Sequence, residues 1–317
     1  MAVMAYRLKL KEDIQSGLRR ILVEQCEQAE RQLAAAADPA TAVHEARKCL
    51  KRMRAALRLV RDGLGENVWQ RENACIRDVA RSLSPLRDRD ATGQTLKMLA
   101  IDAPRPLAKA LAALESHFDT TEAGTANPGQ SRQTVMATAC TDLAAFRGRC
   151  QDLRLTGTTT EIIEQGLKRN HARGRAMLAA LGEAPEQEAL HNLRKAVQVH
   201  WRHMTLLSAA WPEVLKARAE EARAVSMLLG EDQDLAMIER GVLDGAPHGL
   251  TRAAIGHIVR ACQHRRRATQ IEAIARANRL FLGKPRHFAL RLRQAWTISA
   301  TLKGDTEQDA RQARKQI

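Results

Sequence analysis

The sequence predicts an all-α fold, and three observations support the prediction. Ala, Leu, Arg, Gln and Glu dominate almost every segment, and these residues are good helix formers. No run alternates apolar and polar residues over the length of a strand. Hydrophobic residues make up 44% of the 317 residues and charged residues 27%, which is ordinary for a globular protein with a sizeable core. We therefore expect packed helices and strand content near zero.

Local signals place the helices of the first half. The first is predicted over residues 11–37, where Ile14, Leu18 and Ile21 give an apolar side. Asp38 and Pro39 suit the N-cap and first turn of a second helix that reaches residue 62, before the glycines at 63 and 65. Further helices are expected over residues 67–83 and 88–99, with a break at Ser84-Pro85.

The second half is separated from the first by polar, Gly- and Thr-rich sequence. Residues 120–131 (TTEAGTANPGQS) predict a loop, and residues 155–160 (LTGTTT) predict the boundary between the halves. We therefore divide the chain into residues 1–155, residues 156–302 and a polar, frayed C-terminal tail at 303–317. Helices of the second half are predicted over residues 161–181, 186–209, 214–229, 232–243, 250–282 and 285–302.

The charge balance points to an anionic partner. Lys and Arg number 51 against 36 for Asp and Glu, which gives a formal charge of +15. A field of this sign favours nucleic acid, an anionic membrane surface or polyphosphate, and the alternative is a basic surface that only aids solubility. Aromatic residues are only 3% of the chain, whereas proteins that bind single-stranded nucleic acid stack bases on aromatic rings. This composition suits phosphates better than bases.

Cysteine usage and hydropathy indicate a reducing, aqueous compartment. The six cysteines are scattered without a CxxC pair, which is typical of buried thiols and not of a disulfide framework. Residues 1–10 have no apolar core of signal-peptide length, and no segment approaches the length of a membrane span. We expect a cytoplasmic protein.

The two halves repeat each other. The segment at 43–48 (VHEARK) matches the one at 190–195 (LHNLRK), with an offset of 147 residues. The segment at 83–88 (LSPLRD) lies opposite 229–234 (LGEDQD), with an offset of 146 residues. Two matched segments in the same order and at nearly the same spacing predict an internal duplication, so each half should be a similar helix bundle.

The repeated helix carries a stripe of cations. With His44 at zero and roughly 100° per residue, four cations fall within about 60° of it and two lie on the flanks. The four are Arg47, Lys48, Lys51 and Arg58, and the flanking pair is Arg52 and Arg54. The opposite arc is apolar, and the only carboxylate at the edge of the stripe is Glu45. The second copy is weaker, with His191, Arg194, Lys195 and Arg202 on one side and Gln198 and Thr205 in place of two cations.

Such a stripe suits a phosphate chain. Like charges at i, i+3 and i+4 disfavour a helix, and solvated faces usually interleave Glu and Lys. Arg binds phosphate oxygens with two parallel hydrogen bonds, and each phosphate neutralised by Lys or Arg releases a counterion. Protonated His44 or His191 could tighten binding as pH falls. Two alternatives remain open: a merely solvated basic face, and pairing of the stripe with acids of a neighbouring helix.

These segments resemble the CHAD domain, the conserved histidine α-helical domain. The resemblance rests on VHEARKCLKRMRAALR at 43–58 and LHNLRKAV at 190–197, and it covers about residues 6–300. It implies two pseudo-symmetric four-helix bundles with a shared basic groove, inorganic polyphosphate binding, and association with polyphosphate granules. The positions it implies for binding are His44, Arg47, Lys48, Lys51, Arg52, Arg54, Arg58, Lys168, Arg169, Arg173, His191, Arg194, Lys195 and Arg202. Gln198, Val199 and Trp201 depart from the pattern and predict a weaker second stripe.

The remaining motifs favour a binding protein over an enzyme. Members of this family often accompany a CYTH triphosphatase domain, but the chain has no ExExK motif, so such an enzyme would be a separate chain. We expect His200 and His203 to have structural roles. His257, Cys262 and His264 lack the further ligands of a tetrahedral zinc site. We therefore expect no cofactor. The alternatives are a nucleic-acid-binding protein, an enzyme that transfers or hydrolyses phosphate, and an accessory partner of a polyphosphate-processing enzyme.

Overall fold

The computed structural model describes residues 6–34, 38–101, 103–120, 131–244 and 250–315, and in these residues every regular element is a helix. The all-α prediction is therefore confirmed. The α-helices of this part of the chain are α1 (Ile14–Ala34), α2 (Pro39–Leu59), α3 (Arg61–Leu64), α4 (Glu66–Ser82), α5 (Pro85–Ala100), α6 (Arg105–Thr120), α7 (Arg132–Arg149), α8 (Thr159–Ala179), α9 (Gln187–Leu206), α10 (Pro212–Asp244), α11 (Arg252–Leu280) and α12 (Pro285–Lys315).

Helices α1, α2, α4 and α7 pack as a ring, each against two of the others. Their apolar sides meet in a core that includes Leu22, Leu50, Ile76 and Phe146, all no more than 1% exposed. The arc opposite the cation stripe of α2 is the one that is buried, as the spacing predicted. Burial of this arc leaves the polar side of α2 available to the second half of the chain.

Helices α8, α9, α10 and α11 form a second set, with α12 packed along α8. The two sets are not independent, because α2 contacts both α8 and α9. The Leu8 amide donates to the Leu206 carbonyl over 2.9 Å, and His203 Nε2 donates to the Ala55 carbonyl over 2.9 Å. The two helices with the matched HxxRK segments, α2 and α9, therefore meet where the halves join.

The predicted helix starts agree with the caps. Asp38 is the N-cap of α2 and accepts hydrogen bonds from the Ala40 and Thr41 amides, which confirms that prediction. Thr158 and Glu161 form a capping box at the start of α8, directly after the predicted boundary sequence. The loop predicted at 120–131 lies almost entirely outside the described residues.

Two predicted helix ends are wrong. The helices expected at 214–229 and 232–243 are a single helix, α10, that runs through Gly230. Gly230 serves close packing and not a break, because a Cβ there would lie 2.6 Å from Arg194 Nη2. The last helix was expected to end near residue 302 but continues to Lys315, since residues 303–315 are mostly good helix formers without proline.

Another glycine sets the distance between the two halves. A Cβ at Gly166 of α8 would lie 2.1 Å from the Leu59 carbonyl oxygen at the end of α2. The contacted atom is backbone and cannot rotate away, so only glycine allows α8 to approach α2 this closely. The position of α8 relative to the cation stripe of α2 therefore depends on Gly166.

We predict that Gly166→Ala will destabilise the protein by about 1–3 kcal/mol or more, because the added methyl group overpacks a backbone contact. Urea denaturation followed by circular dichroism measures this. The matched control is Gly241→Ala in α10, where a Cβ would meet nothing within 4 Å. That change should stabilise the helix by up to about 1 kcal/mol. Equal stability of the two variants would contradict the proposed role of the close approach.

Candidate anion-binding site

Cations from three helices gather where α2, α8 and α9 meet. Arg54 and Arg58 come from α2, Arg173 from α8 and Lys195 from α9. Burial lowers the pKa of Arg58 to about 9, and repulsion from Arg54 and Arg173 adds to this effect. Burial also lowers the pKa of Lys195, together with repulsion from Arg173, Arg54 and Arg58. We call these four residues the central cation cluster.

The central cation cluster has no ion pair within the described residues. Its side-chain hydrogen bonds there go to neutral amides, from Arg54 Nε to Asn73 Oδ1 over 3.2 Å and from Lys195 Nζ to Asn192 Oδ1 over 3.3 Å. Amide oxygens orient these groups but do not neutralise them. Asp78 attracts Arg54 and Glu188 attracts Lys195, but neither carboxylate forms an ion pair with them, so the cluster is only partly neutralised and a polyanion can supply further negative charge.

Other arginines in the fold are neutralised by carboxylates. Arg276 lies 2.7 Å from Glu221, Arg293 lies 2.8 Å from Glu164, and Arg266 lies 3.1 Å from the buried Asp232. The fold thus pairs arginines with acids on its other helices and leaves the central cation cluster without such pairs among the described residues. The stripe of α2 itself is mixed, since Lys48 pairs with Glu45 whereas Arg54 and Arg58 have no ion pair among the described residues.

Arg58 is the cation of the cluster that is most affected by burial. Arg58 is half-buried, so water solvates its charged form poorly. A pKa of about 9 still leaves the side chain charged near neutral pH. A charge held in partly desolvated surroundings interacts more strongly with an incoming anion than a charge on an open surface does.

A second group of predicted residues lies around Tyr6. Arg202 is only 8% exposed, and burial lowers its pKa to about 10, with repulsion from Arg52 and Arg194 contributing. Arg202 donates to the Gln198 carbonyl over 2.8 Å, and the Tyr6 hydroxyl donates to the Arg52 carbonyl over 2.9 Å. Arg202 and Arg52 therefore add positive charge beside the contact between α2 and α9.

The matched arginines of the two HxxRK segments hold the following helix. Arg47 Nη1 donates to the Ala80 carbonyl of α4 and, over 2.7 Å, to Oγ of Ser84, the N-cap residue of α5. Arg194 Nη1 donates over 2.8 Å to Gln233 Oε1 of α10, an oxygen that also lies 3.0 Å from His191 Nδ1. These guanidinium groups are thus engaged within the protein.

Ser84 and Gln233 were not predicted as functional residues, although the sequence carries a signal for both. Both residues belong to the second matched segment, at 83–88 and 229–234. The structure explains why the two matched segments recur together, since the arginine of the first contacts a polar side chain of the second. Asn73, which orients Arg54, and Gly166 had no comparable signal.

The other predicted residues differ in their surroundings. Lys48 lies 2.6 Å from Glu45, Arg169 pairs with Asp62, and Lys168 is exposed on α8. His44 and Lys51 are half-buried on α2. Burial lowers the pKa of His191, so it becomes protonated only in more acidic solution.

The His200-x-x-His203 pair is buried in the fold. His203 bonds the Ala55 carbonyl, and His200 Nε2 accepts from Arg218 Nε over 2.9 Å. Burial lowers the pKa of His203 to about 4. In the described part of the chain, no three His, Cys, Asp or Glu side chains are placed to hold a metal ion together. The same residues include no helix with the length and hydropathy needed to cross a membrane.

The fold and the site define a helical protein with a cationic cluster at the junction of two helix sets. The sequence profile of the CHAD domain matches residues 19–244, and the chain belongs to the CHAD domain family. No curated protein sequence matches the chain.

Two solved structures share the fold. PptA from Streptomyces chartreusis superposes with a TM-score of 0.59 at 14% identity, over 84% of this chain and 99% of that one. The CHAD domain from the plant Ricinus communis superposes with a TM-score of 0.53 at 17% identity, over 94% of this chain and 96% of that one. At such low identity, the likeness establishes the fold alone.

We predict that Arg47→Ala will lower the free energy of unfolding by about 1–3 kcal/mol, because the Ala80 carbonyl loses a charged donor. Lys48→Ala is the matched control, because it removes the neighbouring cation from an exposed pair that contributes little. Thermal or urea denaturation of both variants checks this. An Arg47→Ala variant as stable as Lys48→Ala would rule out the proposed contribution of Arg47 to the packing of α4.

Proposed function

We propose that the protein binds inorganic polyphosphate at the central cation cluster without catalysing a reaction on it. The observation that carries the proposal is the set of four cations from three helices with no ion pair in the described structure. Membership of the CHAD domain family, which is linked to polyphosphate binding, supports it. Storage, presentation to other proteins and association with polyphosphate granules are roles consistent with such binding.

The physical chemistry of polyphosphate matches the cluster. The chain is flexible and carries roughly one negative charge per phosphate, so neighbouring phosphates can follow cations placed on different helices. Arg54, Arg58 and Arg173 can each make two parallel hydrogen bonds to phosphate oxygens, and Lys195 acts as a point charge. The ligand would neutralise charges that repel one another in the free protein, so binding should stabilise the contacts of α2 with α8 and α9.

Nucleic acid is the less favoured ligand because aromatic residues are scarce and two of the described tryptophan rings are contacted by guanidinium groups. Arg61 lies 4.0 Å from the centre of the Trp69 ring. Trp201 has Arg202 at 4.8 Å and Arg223 at 5.9 Å from its ring centre. A ring that contacts a guanidinium is less available to stack on a base. This arrangement supports recognition of phosphate without bases.

A non-catalytic role is supported by the residue types at the cluster. Its members are cations oriented by the amide oxygens of Asn73 and Asn192, and no described carboxylate lies within ion-pair distance of them. General acid–base chemistry needs a group that exchanges a proton near neutral pH, and Arg and Lys cations do so poorly. Binding and presentation of the polymer need only the charges.

We predict that the triple variant Arg54→Ala, Arg58→Ala, Arg173→Ala will bind long-chain polyphosphate at least roughly 30-fold more weakly at low salt. The slope of log affinity against log salt should fall by about two to three, since three phosphate contacts no longer release counterions. Fluorescence anisotropy with end-labelled polyphosphate at several salt concentrations measures both quantities.

The matched control for this experiment is the triple variant Arg265→Ala, Arg276→Ala, Arg293→Ala. It removes the same net charge, but from arginines that are paired with Glu231, Glu221 and Glu164. Its affinity should fall much less, and its salt slope should stay near that of the unaltered protein. Equal losses in the two triple variants would show that net charge alone attracts the ligand and would reject the cluster as the site.

We also predict that single-stranded RNA will not displace long-chain polyphosphate at equal phosphate concentration, because its charges are more widely spaced than those of polyphosphate. A competition assay with the labelled polymer tests this. Displacement by RNA would favour the nucleic-acid alternative. Release of phosphate from polyphosphate by the pure protein with Mg²⁺ or Mn²⁺ would contradict the non-catalytic part of the proposal.

A further inference from the structure

The central cation cluster borders an ion pair between Asp62 and Arg169. Asp62 lies on the short helix α3, and its carboxylate accepts a hydrogen bond from Arg169 Nη2 of α8. Arg61 precedes Asp62 in the chain and makes three hydrogen bonds to Glu66, at 2.8, 3.0 and 3.0 Å. Two arginines and two carboxylates thus meet beside the end of α2.

Asp62 does not accept from every hydrogen-bond donor of Arg169. Burial lowers the pKa of Arg169; attraction to Asp62 acts in the opposite direction, repulsion from Arg61 lowers the pKa further, and Glu66 raises it. Arg169 Nη1 is buried and has no hydrogen-bond partner in the described structure. A buried donor without an acceptor is costly and is rare in folded proteins. Arg169 therefore retains both a charge that is under-neutralised and a donor that an additional anion oxygen could satisfy.

This ion pair is continuous with the central cation cluster. Arg61 is among the neighbours that lower the pKa of Arg58 by repulsion. Arg169 and Arg173 are four residues apart on α8, so they lie on the same face of that helix, one turn from each other. Arg58 and Arg61 are three residues apart, at the end of α2 and the start of α3. A chain of phosphates on Arg58 and Arg173 can therefore continue toward Arg169.

We infer that Arg169 forms a further phosphate subsite that the Asp62 carboxylate occupies in the free protein, and that a phosphate of the bound chain displaces Asp62. This inference rests on the proposed function and adds to it a subsite with an internal competitor. A carboxylate on α3 contacts Nη2 only, whereas a mobile phosphate presents enough oxygens to accept from Nη1 and Nη2 together. Asp62 would also disfavour the binding of anions that cannot accept hydrogen bonds from Nη1 and Nη2 together.

Asp62→Asn tests the inference, because it removes the competing charge and keeps the size of the side chain. With long-chain sodium polyphosphate, we expect the affinity to rise about 3- to 10-fold at low salt and the salt slope to steepen by about one, since Arg169 then exchanges a counterion for a phosphate. The ion pair is partly exposed, so its loss should cost little stability, and Asp62→Ser provides a second variant without the charge.

The control is Glu213→Gln, which removes the same charge from an exposed acid at the start of α10. We expect it to change the affinity by less than about 2-fold, through the weak long-range field alone. The double variant Asp62→Asn, Arg169→Ala should lose the gain and bind no better than the unaltered protein. This outcome would show that the gain in affinity depends on Arg169.

Three results would overturn the inference while leaving polyphosphate binding intact. They are equal effects of Asp62→Asn and Glu213→Gln, an unchanged salt slope in Asp62→Asn, and persistence of the gain after Arg169→Ala. Failure of the unaltered protein to bind polyphosphate at low salt would instead overturn the proposed function. The two failures are thus distinguishable within one set of titrations.

Discussion

The repulsion among Arg54, Arg58, Arg173 and Lys195 is the constraint around which the junction of the two helix sets is organised. Burial lowers the pKa values of Arg58 and Lys195, and repulsion from the other cations lowers them further. Interactions elsewhere in the fold must offset the cost of holding like charges together in a partly desolvated place. The packing of α2, α8 and α9 therefore has to be strong enough to hold charges that favour separation.

Several features provide that strength without neutralising the charges. The apolar arc of α2 is buried against α1 and α4, and Gly166 brings α8 to the Leu59 carbonyl. Hydrogen bonds from Leu8 to Leu206 and from His203 to Ala55 join the halves through backbone carbonyls. Because these contacts are apolar or involve uncharged groups, they fix the helices and leave the cations available to an anion. Several acids elsewhere in the described fold pair with other arginines, such as Arg266, Arg276 and Arg293.

The HxxRK segments illustrate how the sequence combines packing and chemistry on one helix. On α2, Arg47 reaches the end of α4, whereas Arg58 lies in the central cation cluster. On α9, Arg194 reaches Gln233, whereas Lys195 faces the cations of α2 and α8. Neighbouring cations in one motif thus have different partners, because successive residues of a helix point about 100° apart. A shared motif with several cations is therefore not a uniform binding surface.

The sequence by itself determined the helical class, the start of α2 at Asp38, the apolar and cationic sides of α2 and α9, and the family. Those features depend on local propensity, capping and periodicity, which act over a few residues. It did not reveal that α10 runs unbroken through Gly230, nor which of the predicted cations are paired with acids. Only the tertiary structure decided that Arg54, Arg58, Arg173 and Lys195 share one cluster while Arg169 meets Asp62, because those relations join residues up to more than a hundred positions apart in the chain.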